Sequence, residues 1–228
     1  MHQQQRAYGY SIPRDQPRTA RGNLPLLQPH YYCQQNRDLP IMKETWKPGT
    51  LIYPLPAILV SSGSSPDDYN MFTAAWVGTL CTNPPMCYVS IRPERHSYEL
   101  IKQNMEFTLN LTTVSMARAT DWCGVRSGSE YDKWKETGLT PCPGIEVRSP
   151  YIEESPLSIE CKVREIVALG SHHMFIADVV NVLADTQYID PQTNAFDMNR
   201  ADLLVYSHGH YHELGAEIGK FGWSVKKK

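Results

Sequence analysis

Short runs of β-branched, aromatic and aliphatic residues, each stopped by Gly, Pro, Asn, Asp or Ser, are what most constrain this chain. LIYPLPAILV (51–60), FTAAWVGTLC (72–81), MCYVSI (86–91), FTLNLTT (107–113), SIECKVREIVAL (158–169) and HMFIADVVNVLA (173–184) all read as strands. Such residues pack well on a pleated surface, and the punctuating residues take the backbone angles that turns need. Pro54 and Pro56 make the first run an edge strand or a bent one, because proline removes a ladder donor. SSGSSPDD (61–68) is a turn by composition. In SIECKVREIVAL, Ile159, Cys161 and Val163 share one face, and Ile166 rejoins them after a slip. Helical pieces are few. PERHSYELIKQNMEF places Tyr98, Ile101 and Met105 at i, i+3 and i+7, with Ser97 or His96 near the cap; SMARATDWCGV and SEYDKWKETG follow. Many strands without a βα alternation predict a mainly β fold, an antiparallel barrel with a few helices packed outside.

Composition narrows the class further. The chain has 228 residues, 41% apolar and 20% charged, and a formal net charge of -2. That suits one barrel-sized domain, and it lacks the basic stripe expected of a nucleic-acid binder. No apolar run approaches the roughly 18 residues needed to cross a bilayer, and no apolar signal segment opens the chain. A cytoplasmic protein is therefore expected. Six scattered cysteines without a C-x-x-C pair fit reduced thiols rather than a zinc site or disulfide framework. Asn110-Leu111-Thr112 is a chance match to a glycosylation sequon inside a strand-like run. Residues 1 to 41 carry glutamines, five Arg, no Lys and prolines at 13, 17, 25, 29 and 40. They read as a flexible extension, with the folded domain at 42–228. Lys226 to Lys228 form a solvated tail. Neither a G-x-G-x-x-G after a strand nor a G-x-x-x-x-G-K-[ST] occurs, so any nucleotide is held by other means.

The polar residues that interrupt the apolar stretch YNMFTAAWVGTLCTNPPMCYVSIRPERHSYELI point to a site. Ser90 and Arg92 are two apart and project from one face of a strand that stops at Pro93. A helix begins just beyond. Free amides and the helix dipole at such a corner favour a negative charge, and a guanidinium binds two oxygens at once, which suits a phosphate monoester. The alternative is a capping Ser97 and a surface Arg92. Upstream, Asn70 and Thr73 stand beside Ala74, Ala75 and Trp76, where small side chains leave backbone open to a flat ring. An aromatic head with a phosphate tail describes FMN.

Five blocks in order resemble the flavin reductase-like family, and within it the flavoredoxin branch: KPGTLIYPLPAILVSSG, NMFTAAWVGTLCTNPPMCYVSIRPERHSYELIKQNMEF, CGVRSGSEYDKW, LGSHHMFIADVVNV and YHELGAEIGKFG. The resemblance spans residues 47–223 and implies an FMN-binding split β-barrel, antiparallel and Greek-key-like, usually a homodimer with flavin near the subunit interface. It implies that Asn70, Thr73, Ala74, Ala75 and Trp76 lie along the flavin ring, and that Ser90, Arg92 and Ser97 grip the phosphate. Cys123, Gly124 and Arg126 match a loop closing over the flavin. His172 matches the histidine near the flavin and substrate face, and Tyr211 lies in the C-terminal segment that returns to the dimer interface. Ser97 stands where many relatives carry Thr. His173 stands where an acidic or small residue is usual.

The expected activity is hydride transfer from NAD(P)H to FMN, with onward transfer to flavin, a ferric complex or a protein acceptor. Thr73 and nearby amides would stabilise charge on the reduced ring, and His172 would steer substrate or donate a proton. Hydride transfer needs no nucleophile, and the chain shows no Ser-His-Asp or paired-carboxylate signature. Two alternatives stand beside this: a non-catalytic flavin- or haem-binding module on the same barrel, and a metal-binding protein using His208, His210 and His212. In a strand those three histidines share a face, but same-face neighbours sit about 6.5–7 Å apart, so a straight strand cannot bring all three to one ion.

Overall fold

β-Branched runs need partners for both their ladders and their buried faces, and here they find them in one curled antiparallel sheet. The computed structural model describes residues 44–225, so the expected extension over 1–41, the domain start at Met42 and the lysine tail lie outside the described residues. Among the described residues, 50–225 belong to a unit of their own. Its main sheet comprises β2 (Ile58–Ser62), β3 (Asn70–Ala74), β4 (Val77–Cys81), β5 (Met86–Ile91), β6 (Glu106–Leu111), β9 (Leu157–Ala168) and β10 (His173–Ala184). Their order is β3-β2-β6-β9-β10-β5-β4, with neighbours antiparallel throughout. A three-stranded sheet runs β1 (Leu55–Pro56), β11 (Leu204–Ser207), β12 (His210–Glu213), and a small ribbon pairs β7 (Pro141–Cys142) with β8 (Tyr151–Ile152). The helices are α1 (His96–Asn104), α2 (Ala117–Val125) and α3 (Lys133–Thr137).

Two strand readings from sequence change. FTAAWVGTLC is not one strand. It bends at Ala75 and Trp76, and its halves, β3 and β4, become opposite edges of the sheet. Among the described residues no ladder joins those edges; the Ser90 N–H of β5 donates to the Trp76 carbonyl at 2.8 Å, which carries the β4–β5 pairing up to the bend. LIYPLPAILV bends as expected, at Ala57. Only β1, which contains Pro56, is an edge; β2 lies between β3 and β6. The slip in β9 is a bulge, since Ile176 and Ala177 on β10 face Glu165 and Val163 and skip Arg164.

The apolar alternation explains the layers. Ile58 and Val60 enter the barrel interior with Val89, Ile91, Phe107, Leu109, Cys161 and Phe175. Leu59, on the other face of β2, packs with Met71, Met116, Cys123 and Leu139 under α2. With both faces covered, β2 reads as a continuous apolar run. On α1, Tyr98 and Ile101 are buried, but Met105 is the left-handed C-cap residue at φ 56 and is 37% exposed, so it leaves the expected stripe. Asn110, 0% exposed, donates to Ser61 and accepts from Ile152 N–H and the Ser158 hydroxyl. The sequon is thus part of a satisfied buried network.

Candidate active site

The bend at Ala75–Trp76 lies beside the strand end at Ser90–Arg92, and between them opens a cavity of about 490 Å³. One wall is Thr73, Ala74, Ala75 and Trp76; the floor holds Ser90 and Arg92; Gly124 of α2 and His172 complete the sides. Tyr211 faces it from the three-stranded sheet. These are nine of the thirteen residues singled out from sequence. The cavity also takes in Ala57, Phe72, Ile91, Arg95 and Tyr206, which sequence reading missed. Arg95 could have been found, because RPER puts a second guanidinium at the start of the same helix. Tyr206 needed the hairpin, whose turn at His208–Gly209 brings it opposite Tyr211.

The other four expected residues sit elsewhere. Asn70 and Ser97 are buried against each other, the amide donating to the Ser97 hydroxyl at 2.6 Å. Ser97 therefore does not cap α1: the N-cap position is Arg95, and no side chain caps the helix. Cys123 is a core residue, 1% exposed, in the layer under α2. Burial pushes its thiol up to about 11, partly offset by the nearby Lys133 ammonium. Arg126 lies over the Tyr131 ring, 5.4 Å from its centroid. The segment CGVRSG is therefore not a loop over the cavity; Cys123 and Gly124 belong to the last turn of α2.

Tight contacts fix α2 in this place. A β-carbon on Gly124 would come 3.2 Å from the Thr73 β-carbon, and one on Gly128 would meet the Asn70 carboxamide oxygen at 2.1 Å. The Thr73 hydroxyl donates to the Thr120 carbonyl of α2. This redirects the expected role of Thr73: its proton is engaged, so toward the cavity it offers an acceptor rather than a donor. Lys133, only 4% exposed, donates to the Cys123 carbonyl at 2.8 Å, and burial lowers its ammonium to about 8.

The charges at the other end are specific. Arg92 Nε pairs with Glu94 at 2.8 Å, both side chains at least half exposed. Glu94's own main-chain N–H and the two arginines hold its carboxyl below the usual range. His172 hydrogen-bonds Ser171 at 3.0 Å. Burial first, then Arg92 and Arg95, push its imidazole below the ordinary value of 6.5, while Glu94 acts against them. His173 points elsewhere, its Nδ1 2.7 Å from the Tyr98 hydroxyl. Tyr211 is pushed up to about 12 by burial and by the Asp121 carboxylate.

The histidine triplet does not share a strand. His208 lies in the hairpin turn at φ 47, its ring against Tyr53, while His210 and His212 stand on β12 with ring centroids 6.4 Å apart. Among the described residues no three His, Cys, Asp or Glu gather as a metal site. A larger cavity of about 640 Å³, near Asp67, Tyr131 and Lys133, contains Asn70 but none of the other expected residues. The smaller one joins a flat apolar wall to two guanidiniums and is the candidate site.

A curled antiparallel sheet split along β3 and β4, with a cavity at the split, defines the class of split β-barrels. Residues 50–215 match the flavin reductase like domain, and the chain belongs to the flavin reductase-like family. The fold is similar to flavoredoxin of Desulfovibrio vulgaris (Miyazaki F), with a TM-score of 0.75, 30% identity and coverage of 81% of this chain and 100% of that one. Flavoredoxin from Methanosarcina acetivorans gives a TM-score of 0.73, 26% identity and the same coverage, 81% and 100%. By sequence the chain is 24% identical to an FMN reductase (NADH) RutF of Pseudomonas syringae pv. syringae over 150 residues, 64% of this chain and 72% of that protein. The relationship supports flavin binding and an oxidoreductase. No helix among the described residues is long and apolar enough to cross a membrane.

Proposed function

We propose that this protein is an FMN-dependent oxidoreductase that takes hydride from NAD(P)H and passes electrons to flavin, a ferric complex or a protein acceptor. The observation that carries the reading is the 490 Å³ cavity joining Thr73–Trp76 to the Arg92 and Arg95 corner. Its volume lies in the range of small-molecule sites, and its chemistry fits a flat ring with a doubly negative tail. The Pseudomonas syringae relative, named an FMN reductase using NADH, makes the same activity the natural reading here.

Bound FMN supplies the hydride-accepting chemistry. The chain supplies the rest. Thr73, Ala74, Ala75 and Trp76 support the ring, and the Thr73 oxygen accepts a hydrogen bond from it. Arg92, Arg95 and the first amides of α1 hold the phosphate; Ser90 lies between the two groups. His172, neutral at pH 7, orients the incoming substrate through a ring nitrogen rather than by its charge. Tyr211 narrows the open side. A homodimer is part of the reading, because Ile218 and Phe221 near the C-terminus are 92% and 108% exposed, apolar surface that a second copy would cover.

The test is the protein's colour, followed by turnover. A purified preparation should show flavin absorbance or take up added FMN, and should then consume NADH or NADPH. A colourless protein indifferent to FMN removes the reading altogether. A yellow protein without turnover leaves the non-catalytic module in its place.

A further inference from the structure

Resting on that reading, we propose that Tyr206 is a specificity residue whose ring seats the second substrate, and that this substrate is a planar conjugated ring such as a quinone. Tyr206 lines the cavity from the three-stranded sheet, alongside the Thr73–Trp76 segment assigned to the flavin. Its ring is fixed from two sides. Tyr53 packs behind it at 6.0 Å between centroids and 59°, and Tyr211, its cross-strand partner, lies at 5.8 Å and 61°. Tyr53 is itself braced by His208 at 5.7 Å in an edge contact.

These inclined contacts are those aromatic pairs prefer, and they immobilise a ring before any ligand arrives. A preset ring lowers the ordering cost of binding a second flat molecule. The lining of this cavity includes no carboxylate and no cysteine, so a metal ion would find there only His172 and tyrosine or hydroxyl oxygens. With Arg92 and Arg95 taken by the FMN phosphate, His172 provides the N–H for a carbonyl oxygen. An aromatic ring with a donor in the same cavity suits a planar carbonyl ring better than a chelated metal ion.

The experiment compares duroquinone, which is planar, with camphorquinone, a caged diketone of matching carbon and oxygen count. Affinities are measured by calorimetry on the FMN-loaded protein, and FMN affinity is measured separately. Wild type should favour duroquinone. Tyr206→Leu should weaken duroquinone about tenfold, with a much smaller effect on camphorquinone and FMN, and Tyr206→Phe should restore the preference. Equal losses for both diketones, no loss for either, or no binding of either by FMN-loaded wild type would each overturn the proposal. In those cases retained FMN binding leaves the oxidoreductase reading standing; failure to bind FMN at all removes both.

Discussion

The Asn70 carboxamide donates a 2.6 Å hydrogen bond to the Ser97 hydroxyl, joining the first residue of β3 to the first turn of α1 across 27 positions. Both side chains are buried, and Gly128 is pressed against the other end of the amide. The bond thus holds the strand that forms the cavity wall against the helix that forms its charged end.

Breaking that bond should destabilise the fold. Asn70→Ala is expected to cost about 1–3 kcal/mol in urea unfolding, because the loss leaves a buried hydroxyl without its partner. Ser97→Ala should cost a similar amount, and the double variant less than the two together. Strict additivity would show that the pair is not coupled.

Glu94 competes with any anion in the cavity for the Arg92 guanidinium. Arg92→Ala should weaken FMN by about tenfold or more while changing riboflavin little, since a charged hydrogen bond is at stake. Glu94→Gln should act the other way, tightening FMN by up to about fivefold at low salt, the scale of one exposed ion pair. Equal effects on FMN and riboflavin would separate Arg92 from the phosphate.

His172 should titrate below 6.5, the ordinary histidine value, when followed by its ring proton shifts. Burial is the first cause and Arg92 the second. Arg92→Gln should therefore move the midpoint upward without reaching the ordinary value, whereas Glu94→Gln should move it further down. An unchanged midpoint in both variants would mean that the guanidinium does not sense this ring.

Lys133 gives a pH signature of opposite origin. Its ammonium is lowered from 10.5 in the unfolded chain to about 8 when folded. Between those values the unfolded chain binds the extra proton, so stability rises with pH, and below about 8 the full penalty is present. Relative to Lys133→Met, wild type should gain stability from pH 8 to 10.5. The gain would be a few kcal/mol at most. A flat difference across that window would show the amine to be solvated.

The residues carried by local pattern were legible: the strands, the slip in β9, and the Ser90–Arg92 corner all follow from alternation and proline. What sequence alone could not show was where a continuous run turns. FTAAWVGTLC carries no proline, glycine or Asx residue at the corner, so nothing local marks the bend at Ala75, and β4 beyond it is partly exposed at Thr79 and Leu80. The loop expected at Cys123, Gly124 and Arg126 rests on the family resemblance, whereas the local pattern of SMARATDWCGV reads as helical and the structure has a helix over Ala117–Val125, with Gly124 in contact with Thr73. Tyr206 was masked by the histidines around it; its pairing depends on a turn at residues 208–209 that only the fold reveals.

Because the chain passes from one rim of the main sheet to the other through Ala75 and Trp76, the cavity wall is also the seam of the barrel. A molecule seated there would span the seam and act as a staple, raising resistance to unfolding in proportion to the logarithm of its concentration over its dissociation constant. Damage at this corner would therefore register twice, as lost affinity and as a barrel that opens more readily along β3 and β4.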